Sequence, residues 1–143
     1  MTSRESKIDG GEPAAGTERR AARVLIAQPN EDVRELLAEH CRRLELEPLV
    51  HEPGSNGQLP DVDLIVAEPA SPQARRLLAA HRDKASAIPI MFVSIYPPAG
   101  VLRSPAVAYL VMPYSWERFE QAVSGALARS PRDRGAPPLR LRL

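Results

Sequence analysis

A single cysteine, Cys41, in a chain of 143 residues rules out an intrachain disulfide and any metal cluster built on several thiolates. Aromatic residues make up only 4% of the chain, so a core assembled from Leu, Val, Ile and Ala is expected. Apolar runs are short: the stretch from Ile88 to Val93 is interrupted by Pro89 and is far from the roughly 20 residues needed to cross a bilayer. Neither sign of charge dominates. Nineteen Lys and Arg face eighteen Asp and Glu, for a net charge of +1, which exerts no long-range pull on nucleic acid or anionic lipid. The residues from Met1 to Lys7 have no apolar segment behind them, so no secretory signal is read there and a cytoplasmic location is expected.

What remains is 43% hydrophobic and 26% charged, the make-up of an ordinary globular domain, with length for one core plus tails. Residues 1–22 are polar, lack a hydrophobic period and read as a disordered lead-in. Residues 130–143 read as a flexible basic tail. Its last five residues, Leu139 to Leu143, alternate apolar and basic like a strand that could add to a sheet edge, although fraying is the preferred reading.

Between the tails, residues 23–129 alternate short apolar runs with helical patterns. Strands are expected at Val24–Ala27, Leu49–His51, Asp63–Ala67, Pro89–Ser94 and Val107–Val111. Asn30 is placed to cap a helix whose apolar stripe is Val33, Leu36, Leu37, His40, Cys41 and Leu44. Pro72 suits the first turn of a second helix with Ala74, Leu77, Leu78 and His81 on its core face. Ser115 caps a last helix that buries Trp116, Phe119, Val123, Ala126 and Leu127. Such alternation predicts an α/β domain with a five-stranded parallel sheet.

The order of elements and four local strings resemble the receiver domain of bacterial response regulators (CheY-like). The strings are Arg23 to Ile26 followed by Asn30 to Leu37, Asp63 to Glu68, Pro89 to Ser94, and Ala108 to Ser115. The resemblance implies a flavodoxin-like, doubly wound sheet. Two segments depart from it. Glu52 to Pro60 is too short and too rich in Pro, Gly and Ser for a full crossover helix, and three prolines and a glycine break the stretch from Tyr96 to Pro105. The family's second and fourth helices are therefore expected to be shortened or missing.

In the family, the carboxyl ends of the strands transfer a phosphoryl group to an aspartate with help from Mg²⁺. This chain has Gln28 and Pro29 in place of the two acidic residues, Glu68 in place of the phosphoacceptor and Met112 in place of the lysine. Mg²⁺ wants several oxygen ligands, including one or two carboxylates, and only Glu68 offers one. Glu68 is also a methylene longer than Asp, and Met112 brings no cation; losing one such partner costs about 3–4 kcal/mol in rate terms.

The resemblance therefore implies a degenerate, non-catalytic pseudo-receiver that binds no cofactor and no metal. Ser94 and Tyr109 keep the hydroxyl and the switch-like aromatic of the family. Two readings stay open for them. Either Glu68 mimics a phosphoryl group and holds both, or they are an ordinary hydroxyl in a turn and a tyrosine packed on the last helix.

His40 and Cys41 are adjacent, which is not a ligand spacing, and packing is the preferred role. His51 and His81 have no evident partner. Arg75 and Arg76, with Arg19, Arg20, Arg23 and the C-terminal arginines, could form a basic surface, but a solvated face is the preferred reading; binding to nucleic acid or membrane is not expected.

The expected function is protein–protein contact in signal transduction, with a kinase or other regulator as partner and homodimerisation open. The surface would be the last strand and last helix, with Tyr96, Val101, Leu102 and Trp116 as candidate anchors. For the loop bearing Tyr96 the alternative is that it folds over the core. Two further functions stay open: small-molecule sensing in the strand-end crevice, and a divergent phosphorelay acceptor using Glu68, Asp61 or Asp63. Asp63 starts its strand at the wrong end of the sheet for that work.

Overall fold

The computed structural model describes residues 21–52, 59–84, 86–98 and 106–131. In chain order the elements are β1 (Arg23–Ala27), α1 (Glu31–Arg43), β2 (Glu47–Val50), β3 (Leu64–Ala67), α2 (Pro72–Asp83), β4 (Ile90–Ser94), β5 (Ala108–Val111) and α3 (Trp116–Leu127). The strands form one parallel sheet in the order β2-β1-β3-β4-β5. This is the doubly wound order expected from the sequence, with its switch point between β1 and β3. Among the described residues no helix lies between β2 and β3 or between β4 and β5. Most of the two Pro-rich segments, and nearly all of both tails, lie outside the described residues.

Chain chemistry accounts for the element boundaries. The side chains of Asn30, Ser71 and Ser115 accept hydrogen bonds from the backbone N–H groups of Val33, Ala74 and Arg118, so each helix begins on a polar cap. Pro72 opens α2, where the missing N–H has no intrahelical partner to lose. At the end of α1, Glu45 N–H donates to Arg42 O and Leu46 N–H to Cys41 O, the paired bonds of a Schellman turn. Glu45 adopts the left-handed conformation that this turn requires, with φ of 61°, where glycine would be unstrained. Buried Leu46 then carries the chain into β2.

Two apolar layers cover the sheet. On one face α1 and α3 pack over Val24, Ile26, Leu64, Val66, Met91 and Val93. On the other, α2 packs over Leu25, Ala27, Ile65, Ala67, Ile90 and Phe92. β3 and β4 are buried along their whole length, which explains their unbroken apolar runs.

The core is built mainly from Leu, Val, Ile and Ala, as expected, with Phe92 and Phe119 among its largest fully buried side chains. Three expectations need correction. Leu36 is 40% exposed: it points about 100° away from Leu37, off the edge of the stripe. On α2, Gln73 is buried and Leu78 is only half-buried. Tyr109 packs with the α2 layer, edge-on to Phe92, and not on the last helix, because alternation along β5 sends it to the opposite face from Leu110.

The remaining histidines do have partners. His81 Nε2–H donates to Ile88 O at 2.8 Å, and Gln73 Nε2 donates to His51 O at 2.7 Å while lying 2.8 Å from His51 Nδ1. Burial, with Arg76 adding to it, lowers the His51 pKa, as suits a neutral ring accepting at Nδ1.

Candidate functional site

The carboxyl ends of β1, β3, β4 and β5 open into a cleft of about 330 Å³. Gln28 and Pro29 enter it from the end of β1, Glu68 from β3, and Met112 from β5. Four of the five positions expected to converge therefore do so. Ser94 lies just beneath, 1% exposed, with its Oγ accepting from Tyr96 N–H at 3.1 Å. Sequence reasoning missed Asn30, Val33, Ser71 and Pro72, which close the walls from the first turns of α1 and α2. It also missed Ile95 and Ala70. Their signal was available: a residue directly after a strand end, or a cap directly before a helix, must lie at this rim.

Hydrogen bonds hold the rim in place. Gln28 Oε1 accepts from Asn30 N–H at 2.8 Å, and its carbonyl accepts from Arg34 Nη1 at 3.1 Å. Glu68 Oε2 accepts from Ala70 N–H at 3.0 Å, while its carbonyl accepts from the N–H and the hydroxyl of Ser71. Met112, joined to Pro113 by a cis peptide, packs against the α1 and α3 layer.

This donor set does not fit Mg²⁺. The Gln28 oxygen is neutral and already bonded, Pro29 has no donor atom, and Glu68 is the lone carboxylate in the cleft. Among the described residues no group of three His, Cys, Asp or Glu is placed to hold any metal. Asp63 sits at the opposite end of the sheet, where its Oδ2 accepts from Arg23 N–H at 2.7 Å. Asp61 lies at that same end, its carbonyl accepting from Arg23 Nη1.

The candidate anchors fall into different settings. Tyr96 is 60% exposed at the cleft mouth, and its carbonyl accepts from the Tyr109 hydroxyl at 2.9 Å, so the two tyrosines are tied together. Trp116 is half-buried, stacked on Phe119 and covered by the Arg43 guanidinium 3.9 Å from its ring centre. Val101 and Leu102 lie outside the described residues.

His40 takes part in the same packing. Its Nδ1 lies 3.0 Å from the Tyr114 hydroxyl, and its ring meets Trp116 and Phe119. Burial lowers the His40 pKa, Arg43 adds to the effect and Glu39 opposes it. Burial pushes the Tyr114 hydroxyl up to about 12, which keeps it a donor to the neutral ring. Cys41 is buried alongside, its thiol also pushed up to about 12, which leaves it inert. Arg75 and Arg76 are exposed on α2, and among the described residues no helix is long and apolar enough to cross a membrane.

No protein-family model matches the chain, and no curated protein matches it. Solved structures do. The signal receiver domain of an HD domain-containing protein from Pseudomonas fluorescens is 18% identical, with a TM-score of 0.67 over 86% of this chain and 98% of that one. The Vibrio cholerae chemotaxis protein CheY4 is 15% identical, with a TM-score of 0.60 over 75% of this chain and 99% of its own. The response regulator TrrA from Thermotoga maritima, solved in complex with Mg²⁺-BeF, is 20% identical, with a TM-score of 0.60 over 73% and 98%. Together with the strand order, these likenesses give the chain the fold of response-regulator receiver domains.

Proposed function

We propose that this chain is a non-catalytic receiver-like module of bacterial two-component signalling, located in the cytoplasm, which acts by protein–protein contact and is not switched by aspartyl phosphorylation. One observation carries the reading. In a receiver fold, the cleft that would hold the acceptor and its metal presents Gln28, Pro29, Glu68 and Met112, a set with one carboxylate and no cation. Catalysis in this geometry would need an ion that the donors do not fit and a counter-charge that Met112 does not supply.

Contact with a partner would use the β5 side of the sheet. Val111, at the outer edge, is left exposed there, and Tyr96 projects beside it from the end of β4. Incubation with acetyl phosphate and Mg²⁺, read by intact mass, tests the central claim. The mass is expected to stay unchanged. A stable gain of one phosphoryl group, abolished by Glu68→Gln, overturns the reading.

A second reading, small-molecule sensing, is favoured by the cleft itself. Its volume of about 330 Å³ persists although the phosphoryl chemistry has no donors, and falls within the range of roughly 300–1,000 Å³ typical of ligand sites.

A further inference from the structure

Seven of the eleven residues lining the cleft are apolar or aromatic, and none is Lys, Arg or His. Glu68 is the only charged side chain among them. Two helices start at this rim, where anions favour a cradle of backbone N–H groups, but several of those donors are already engaged. At α1, Asn30 Oδ1 takes Val33 N–H and Gln28 Oε1 takes Asn30 N–H. At α2, Ser71 Oγ takes Ala74 N–H, Glu68 Oε2 takes Ala70 N–H, and Pro72 has no N–H to give. Arg34, whose guanidinium reaches the Gln28 carbonyl, is not among the lining residues. Glu31 and Asp32 add negative charge in the first turn of α1. A phosphate or carboxylate entering this cleft would meet a carboxylate and no cationic side chain.

The opposite charge finds everything it needs. Among the described residues Glu68 Oε1 has no hydrogen-bond partner. The exposed ring of Tyr96 and the sulfur of Met112 present π and polarisable surface, which favour a cation with an apolar body. Ile95 and Tyr96, 61% and 60% exposed, leave apolar surface in water at the mouth that such a body would cover.

We propose that this cleft binds a small organic cation, an ammonium group carried on an apolar body, with Glu68 pairing the charge while Ile95, Tyr96 and Met112 cover the rest. The assignment rests on the sensing reading of the same cleft and names the ligand class for it.

Titration of the full chain with 2-phenylethylamine and benzyltrimethylammonium, followed by saturation-transfer NMR, tests it, with 2-phenylethanol and 3-phenylpropionate as neutral and anionic counterparts. Saturable binding of at least one ammonium compound is expected, with the anion excluded. Glu68→Gln should weaken that binding roughly tenfold or more, as losing a hydrogen bond to a charged group does, with an unchanged melting temperature. Should Glu68→Gln fail to fold, Met112→Lys supplies the second variant: a like charge in the cleft should abolish ammonium binding. Equal binding of the alcohol, or binding unmoved by these variants, overturns the proposal. Binding of the alcohol or anion alone refutes the charge assignment and leaves sensing standing. If none of the four compounds saturates at millimolar concentration, both fail.

Discussion

Phe119 and Tyr96 are both large aromatic side chains, and they occupy opposite regimes. Phe119 is fully buried between α1, α3 and the sheet, with Tyr114 and Trp116 stacked on its ring and His40 tilted against it. Tyr96 stands 60% exposed at the carboxyl rim, held mainly through its backbone. The first belongs to the packed layer over the sheet, the second to the open carboxyl rim. Met112 and Val33 join the two, lining the cleft while packing on the α1 and α3 layer.

The largest effect expected is on the buried side. Phe119→Ala should cost about 3–5 kcal/mol in chemical denaturation, because it removes a ring from a site closed on all sides. A loss below about 1 kcal/mol would mean that the α1–α3 layer is looser than its packing indicates.

A smaller effect should follow acidification. In the unfolded chain His40 takes up its proton near 6.5, whereas in the folded chain burial and Arg43 hold its pKa below that value. Its contribution is therefore fully present above 6.5 and is lost as pH falls toward the folded pKa. His51, lowered for the same reason, has the same sign. The melting temperature should drop between pH 7.5 and pH 5, and His40→Gln should drop less steeply. Equal slopes in both proteins would show that Tyr114 accommodates the imidazolium without loss.

Least of all should change at the rim. Tyr96→Ala is expected to alter stability by no more than about 0.5 kcal/mol. A larger loss would mean that the Tyr109–Tyr96 tie braces the sheet, and the separation of the two regions would fail.

Much of this was legible in the sequence because backbone chemistry is local. Asn30 and Ser115 are caps wherever they occur before an apolar helical period, and Pro72 can open a helix but not continue one. The strand runs of β3 and β4 could be read as buried on both faces from their unbroken apolar character. The gathering of Gln28, Pro29, Glu68 and Met112 followed from topology, since parallel strands deliver their carboxyl ends to one rim. What stayed hidden depends on partners far apart in the chain. Gln73 is buried because His51, twenty-two residues earlier, occupies the next edge of the sheet. The face taken by Tyr109 is set by the register of β5 on β4, in which it pairs with Phe92. The cover that Arg43, on another helix, lays over the Trp116 ring likewise joins residues far apart in the chain.

The bond from Arg23 N–H to Asp63 is matched by one from Asp63 N–H to Arg23 O, and together they pin the start of β1 to the approach of β3. The start of β1 is therefore fixed at the floor of the sheet. The five residues of β1, at about 3.3 Å each, put Arg23 roughly 15 Å from the cleft. A fluorophore attached at Arg23 would report on that floor and stay clear of the carboxyl rim.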